Sequence, residues 1–207
     1  MNYLKSIIYG IRLIFIACSI YLLCQFKWDR QILLLGSLFL TFVPELFTSF
    51  FKVKIPMGVR IFYTVFIFSS QFLGSFLGAY GYLSWWDTML HTVSGILMGY
   101  IALIMLLTVD RKGMIFKQHQ IVFIMLFIIL TGIAGAGIWE IIEFTGDTFL
   151  GLNAQLGSLQ DTMIDIICGT VGGMLYAFYI GLMLKKKCPC VIDTLLEING
   201  ISKRKKK

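Results

Sequence analysis

The chain has 207 residues, 58% of them hydrophobic and 14% charged, with a formal net charge of +7. Soluble domains run near ~45–50% apolar and ~25% charged, so a fold in water would leave much of this apolar surface exposed, whereas a bilayer removes that cost. The basic residues gather in short loops and at the C-terminus instead of on one face, which excludes a nucleic-acid groove binder and reads as topology signals and lipid-headgroup contacts.

A membrane span needs roughly 17–25 mainly apolar residues, because the hydrocarbon core is about 30 Å thick and each helical residue rises about 1.5 Å. Six stretches meet this requirement: 6–26, 31–51, 61–83, 87–109, 121–144 and 161–184. The first carries Lys5 and Arg12 at its start, as a secretory leader would. No A-x-A site follows, and Leu23 is bulky where a lipobox needs a small residue before Cys24, so the segment reads as a retained span. Pro44 predicts a kink in the second span. Of the five cysteines, Cys18, Cys24 and Cys168 lie inside apolar runs, while Cys188 and Cys190 flank Pro189 directly after Lys185, Lys186 and Lys187. They read as free thiols, not as a disulfide framework.

Orientation follows from the distribution of Lys and Arg. Sixteen of the eighteen fall in the N-terminal segment, the second and fourth loops and the C-terminus, leaving only Lys27 and Arg30 on the other side. Both termini are therefore expected in the cytoplasm, with loops 27–30, 84–86 and 145–160 facing out. The expected organisation is an all-α, six-span transmembrane domain, 1–187, followed by a basic cytoplasmic tail, 188–207. Its closing run, Lys203-Arg204-Lys205-Lys206-Lys207, is suited to anionic lipids of the inner leaflet. His119, in the basic fourth loop, reads as solvated.

Spans four and six share a pattern. Asp87-Thr-Met-Leu-His91-Thr-Val-Ser-Gly95 aligns with Asp161-Thr-Met-Ile-Asp165-Ile-Ile-Cys-Gly169, and the same offset pairs Gly99 with Gly173, giving five identities in thirteen positions. The pattern predicts a parallel repeat in which hairpin 3-4 is echoed by hairpin 5-6. Gly95/Gly99, Gly169/Gly173 and Gly74/Gly78 are each spaced G-x-x-x-G, a spacing that lets helix backbones approach closely. Ala134, Gly135 and Gly137 are expected to serve the same packing from span five.

The candidate chemistry lies in the acidic residues. Six of eleven, Asp87, Glu140, Glu143, Asp147, Asp161 and Asp165, fall at the outer ends of spans four, five and six, together with His91. Asp87/His91 and Asp161/Asp165 are i,i+4 pairs, and Glu140, Glu143 and Asp147 follow i, i+3, i+7, so each set shares one helix face. His91, Glu140 and Asp165 sit about four residues inside their spans, roughly 6 Å below the outer end. A charge in the bilayer interior costs at least ~2.5–3.5 kcal/mol, and no Lys or Arg is near in sequence. Such a set needs a bound cation, shared protons or open contact with water. All seven residues are candidate ligands of a divalent cation; carboxylates with one His suit Mg, Mn or Ca better than structural zinc. His91, Glu140, Glu143 and Asp165 are the candidate catalytic groups. Trp85, Trp86 and Gln160 are candidate substrate contacts, although two Trp residues at a span's end also suit an interfacial aromatic belt. Glu45, near the inner end of span two, is too far from this cluster to join it unless that helix is broken. Three readings stay open from the residues alone: a metal-dependent enzyme, a proton- or ion-coupled transporter or flippase, and a non-enzymatic structural or interaction protein.

Several further elements carry a resemblance: Phe42-Val43-Pro44-Glu45, Ile55-Pro56, Leu73-Gly74, Trp86-Asp87-x-x-x-His91 with Gly95, Trp139-Glu140-x-x-Glu143, Gly146-Asp147, and Gln160-Asp161-x-x-x-Asp165 with Gly169. With them, over roughly 40–173, the chain resembles the YjdF-type family of bacterial integral membrane proteins. More distantly it is similar to VanZ-type proteins, which place Asp-x-x-His, a mid-chain Glu and a late Asp on successive helices. It departs from them at Asp165, where they tend to carry Asn or another polar residue. The resemblance implies a bacterial inner-membrane protein, a cell-envelope role and use of the acidic cluster as a site.

Overall fold

The computed structural model describes residues 2–118, 120–151, 154–155 and 157–202. His119 and the basic run Lys203–Lys207 lie outside the described residues. All regular structure among the described residues is helical. Five helices are long and apolar enough to cross a membrane, and a bent helix pair counted as one span makes six. The chain divides into two compact units, Met1–Trp86 and Asp87–Lys207.

The first unit contains α1 (Asn2–Cys24), α2 (Trp28–Leu40), α3 (Val43–Phe51), α4 (Met57–Ile67), a π-helical continuation (Phe68–Phe76) and the single turn α5 (Ala79–Tyr82). Its apolar centre joins Ile11, Phe15 and Leu22 of α1 to Leu34 of α2 and Phe72 of the π-helical segment. Phe68 stacks on Phe72 at 4.9 Å, and Phe15 meets Phe72 edge-on at 5.7 Å, geometries that suit the ring quadrupoles. The expected kink is real. α2 and α3 are bent by 42°, with Pro44 in the first turn of α3, where its missing N–H costs nothing.

The bend frees backbone carbonyls that must find donors. Arg12, buried in α1, supplies them: Nη2 donates to the Thr41 carbonyl at 2.7 Å and Nε to Thr41 Oγ1 at 3.1 Å. The same Nη2 lies 2.8 Å from Glu45 Oε1, and Arg60 of α4 donates to that oxygen as well. The guanidinium also sits 3.8 Å from the centre of the Phe42 ring. Arg12 and Arg60, read from sequence as topology signals, thus form with Glu45 an ionic clamp across the bend.

Gly78 corrects one expectation. Its φ is +84°, a left-handed conformation that ends the preceding helix and opens α5. Gly74 and Gly78 therefore do not share a helical face, because glycine is also the residue that most readily leaves the helix.

The second unit contains α6 (Trp86–Val109), the turn α7 (Met114–Lys117), α8 (Ile121–Leu150), α9 (Leu159–Lys185) and α10 (Val191–Ile198). Here the paired glycines pack backbone on backbone. A Cβ on Gly95 would overlap the Gly169 carbonyl oxygen and press on the Gly173 amide, and one on Gly172 would overlap the Thr92 carbonyl. One turn on, a Cβ on Gly99 would strike the Tyr176 ring. Contacts that advance together in residue number mean that α6 and α9 run in the same direction. α8 joins through Gly132 against Gly173 and Ala136 against Gly169, while Gly135 faces Met98 of α6. The small residues that α8 turns to α9 are thus an i,i+4 pair. Ala134 is exposed and Gly137 meets nothing, since neither shares that face.

Residues beyond Lys187 are more than a basic tail. Ile192, Leu195 and Leu196 of α10 are buried, and Leu196 lies over Gly113 in the turn before α7. Cys190 caps α10, its N–H donating to Asp193 Oδ2 at 2.9 Å. No disulfide links the five cysteines, all of which are among the described residues.

Two outcomes are expected in thermal unfolding of detergent-solubilised protein. Gly95→Leu and Gly169→Val should each lose about 2 kcal/mol or more, because the obstacles, the Gly169 carbonyl for the first and the Ala136 methyl fixed to α8 for the second, cannot move aside. Gly36→Ala, where nothing lies within 4 Å, should be neutral or gain up to about 1 kcal/mol. Separately, Arg12→Met should lose about 3 kcal/mol by leaving the Thr41 carbonyl unpaired and weakening the pair with Glu45, and Arg12→Lys should recover only part of it.

Candidate functional site

The glycine contact sets the geometry one turn away. His91 precedes Gly95 by four residues and Asp165 precedes Gly169 by four, so the side chains sit directly above the closest approach of α6 and α9. His91 Nε2 lies 3.5 Å from Asp87 Oδ1 on its own helix and 3.7 Å from Asp165 Oδ2 across the interface. These separations exceed an ordinary hydrogen bond. One ligand atom from each of Asp87, His91 and Asp165 lies within 4.8 Å of the others. His91 is 6% exposed and Asp165 3%, whereas Asp87 is half-buried. The His91 carbonyl accepts from Ser94 Oγ at 2.7 Å, which ties the helix backbone at this turn.

The remaining acids take different places. Glu140 of α8 is 5% exposed. Its Oε2 accepts from Gln155 Nε2 at 3.2 Å, and the same amide reaches the Glu140 carbonyl at 3.3 Å. Oε1 has no partner among the described residues. Glu143, one turn further along α8, accepts from Trp139 Nε1 at 2.7 Å. α8 borders the trio, with Ala136 against Gly169, but neither Glu140 nor Glu143 belongs to the set of mutually close ligand atoms. Asp147 holds a turn of chain: Oδ1 accepts from the Ala154 amide at 2.7 Å and Oδ2 from the Gln155 amide at 3.0 Å. Asp161 lies in the first turn of α9, where Ser158 caps by accepting from the Asp161 amide at 3.2 Å. A carboxylate there is favoured by the helix dipole, and it is within electrostatic range of Asp87 and His91.

Gln160 is exposed at the start of α9. Trp85 and Trp86 belong to the first unit, where their rings meet edge-on at 5.6 Å. Two features were not anticipated from sequence. α8 continues to Leu150, so the connection to α9 is half the expected length. Gln155 is the other: it links the connection to Glu140, and an isolated Gln in a loop carries no signal of that role. The extension of α8 was legible only in part, because Thr145-Gly146-Asp147 reads as a turn by residue type.

Among the described residues no Lys or Arg forms an ion pair with any of these acids. Two carboxylates and an imidazole, two of the three groups deeply buried, make a set of hard oxygen donors and one nitrogen. Ligands about 2.1 Å from a metal ion sit roughly 3–3.5 Å apart, close to the spacing found, so a small adjustment would let the trio hold a divalent cation.

Residues 7–186 match the family described as "Predicted membrane protein (DUF2238)", and the chain belongs to it. It is 29% identical over 132 residues to an uncharacterized protein of Thermotoga maritima, a match covering 63% of this chain and 66% of that relative's length. No solved structure matches.

Asp147→Ala should release the turn it holds while leaving the trio intact. In hydrogen exchange, the amides of Ala154 and Gln155 should exchange about tenfold faster or more, the loss of a charge-assisted bond each, with protection around Gly95 and Gly169 unchanged.

Proposed function

We propose that this protein binds a divalent cation through Asp87, His91 and Asp165 and uses it to handle a lipid-linked or cell-envelope substrate. The observation that carries this reading is the convergence of three ligand atoms within 4.8 Å from two helices whose backbones are locked together. Carboxylates with one imidazole favour Mn or Mg over structural zinc. Three protein ligands leave positions for water or substrate, and a cation there would polarise a bound oxygen and offset the carboxylates against an anionic group. Glu140 and Glu143 are the neighbouring groups suited to move a proton, and Asp161 adds negative charge at the rim.

The wider assignment rests on charge and resemblance. Both termini are assigned to the cytoplasm and the chain to a bacterial inner membrane, following the imbalance of basic residues between the two sides. The run Lys203–Lys207 would then meet anionic lipids of the inner leaflet. Kinship with YjdF-type proteins, and more distantly with VanZ-type proteins, belongs to the same reading.

Metal analysis of protein purified without chelator, wild type beside Asp165→Asn and His91→Ala, tests it. Wild type should carry Mn or Mg in stoichiometric amount and both variants should lose it. Added Mn²⁺ at roughly a hundred times its Kd should stabilise wild type by about 2.7 kcal/mol and the folded Asp165→Asn variant far less. No metal in any preparation, and no stabilisation by Mn²⁺, Mg²⁺ or Ca²⁺, would overturn the proposal and favour a proton relay through the same carboxylates.

A further inference from the structure

A second feature of the same unit is a cavity of about 640 Å³ between α8, α9 and the chain joining them. Its volume is in the range of sites for small organic ligands, roughly 300–1,000 Å³. α8 contributes Glu140, Ile141 and Phe144 and α9 contributes Leu159, Thr162 and Ile166, spacings that align each set along one helix face. Asp87, His91 and Asp165 do not line it.

The walls are mainly apolar, and the charged groups lining them, Glu140 and Asp147, are both acidic. Asp147 spends its two oxygens on the Ala154 and Gln155 amides. Glu140 spends Oε2 on Gln155 and keeps Oε1 unpartnered among the described residues, although the residue is 5% exposed. A buried carboxylate oxygen without a donor is costly, and rotation of the Glu140 carboxylate that turns this oxygen into the cavity would let a ligand's donor satisfy it. An anionic head would instead meet two carboxylates with no Lys, Arg or His among the described residues of the lining. A primary ammonium offers positive charge and three donors together, and a hydrocarbon chain attached to it would cover the exposed side chains of Ile141, Phe144 and Leu159.

We infer that this cavity binds an amphiphile with a primary-amine head, the amine donating to Glu140 and the chain lying between α8 and α9. The inference needs no cation at the trio, so it is tested in chelator, where failure of the metal reading leaves it untouched.

Full-length protein in nanodiscs with EDTA is photolabelled with chain-reactive phosphatidylethanolamine, and separately with phosphatidylglycerol bearing the same chain. The ethanolamine probe should label peptides from the stretch 137–166 about tenfold more than the glycerol probe, the ratio expected for one charge-assisted hydrogen bond. Glu140→Gln should abolish that preference. Ile166→Trp, which fills the cavity without touching the carboxylate, should remove labelling by both probes, and it keeps the test decisive if Glu140→Gln does not fold. Equal labelling of wild type by the two probes, a preference that survives Glu140→Gln, or ethanolamine labelling that persists in Ile166→Trp would overturn the inference.

Discussion

The second unit depends on one steric fact: α6 and α9 touch through their backbones. At Gly95, Gly169 and Gly172 there is no room for a methyl group. In lipid, helices gain little from burying apolar surface against one another, because the surrounding tails are equally apolar. Close approach, with its many small dispersion contacts, is what holds such helices together. These three glycines therefore do here what a layer of Leu and Phe does in a soluble core, and Gly132 and Ala136 bring α8 into the same contact.

That contact also organises the chemistry. Side chains one turn beyond it are forced together whether or not they attract, because rigid helices transmit the spacing. His91 and Asp165 are the residues at that level, and their burial follows from the helices around them, not from mutual attraction. The first unit treats charge differently. Glu45 is met by two guanidiniums, and Arg12 also serves the carbonyl freed by the α2–α3 bend. Glu45 in the first unit is paired and structural; among the described residues Asp87 and Asp165 of the second face only the imidazole of His91.

Much of this was legible in the residues. Apolar run lengths revealed the membrane helices, Pro44 marked the bend, and the G-x-x-x-G spacing in spans four and six marked glycines that pack closely. Other features were hidden for definable reasons. Gly78 and Gly95 are the same residue type in similar spacing, yet one ends a helix and the other lies inside an interface. Thr145-Gly146-Asp147 looks like a turn, but α8 runs through it and Asp147 reaches over to hold Ala154 and Gln155. Arg12 looks like a topology signal because its partner is twenty-nine residues away. Local pattern cannot reveal which distant group a side chain will meet.

By itself the sequence determined what composition and periodicity determine: an all-helical membrane protein, its apolar segments, and the faces on which the acidic residues lie. Those are properties of single helices, dictated by the bilayer's thickness and the helix repeat. Tertiary structure decided which faces meet. It brought one ligand atom each of Asp87, His91 and Asp165 within 4.8 Å of one another, gave Asp147 to the connection between helices, and left one oxygen of Glu140 without a partner among the described residues. That selection depends on where two backbones can come closest, and the closest approach of two helices is a property of the pair.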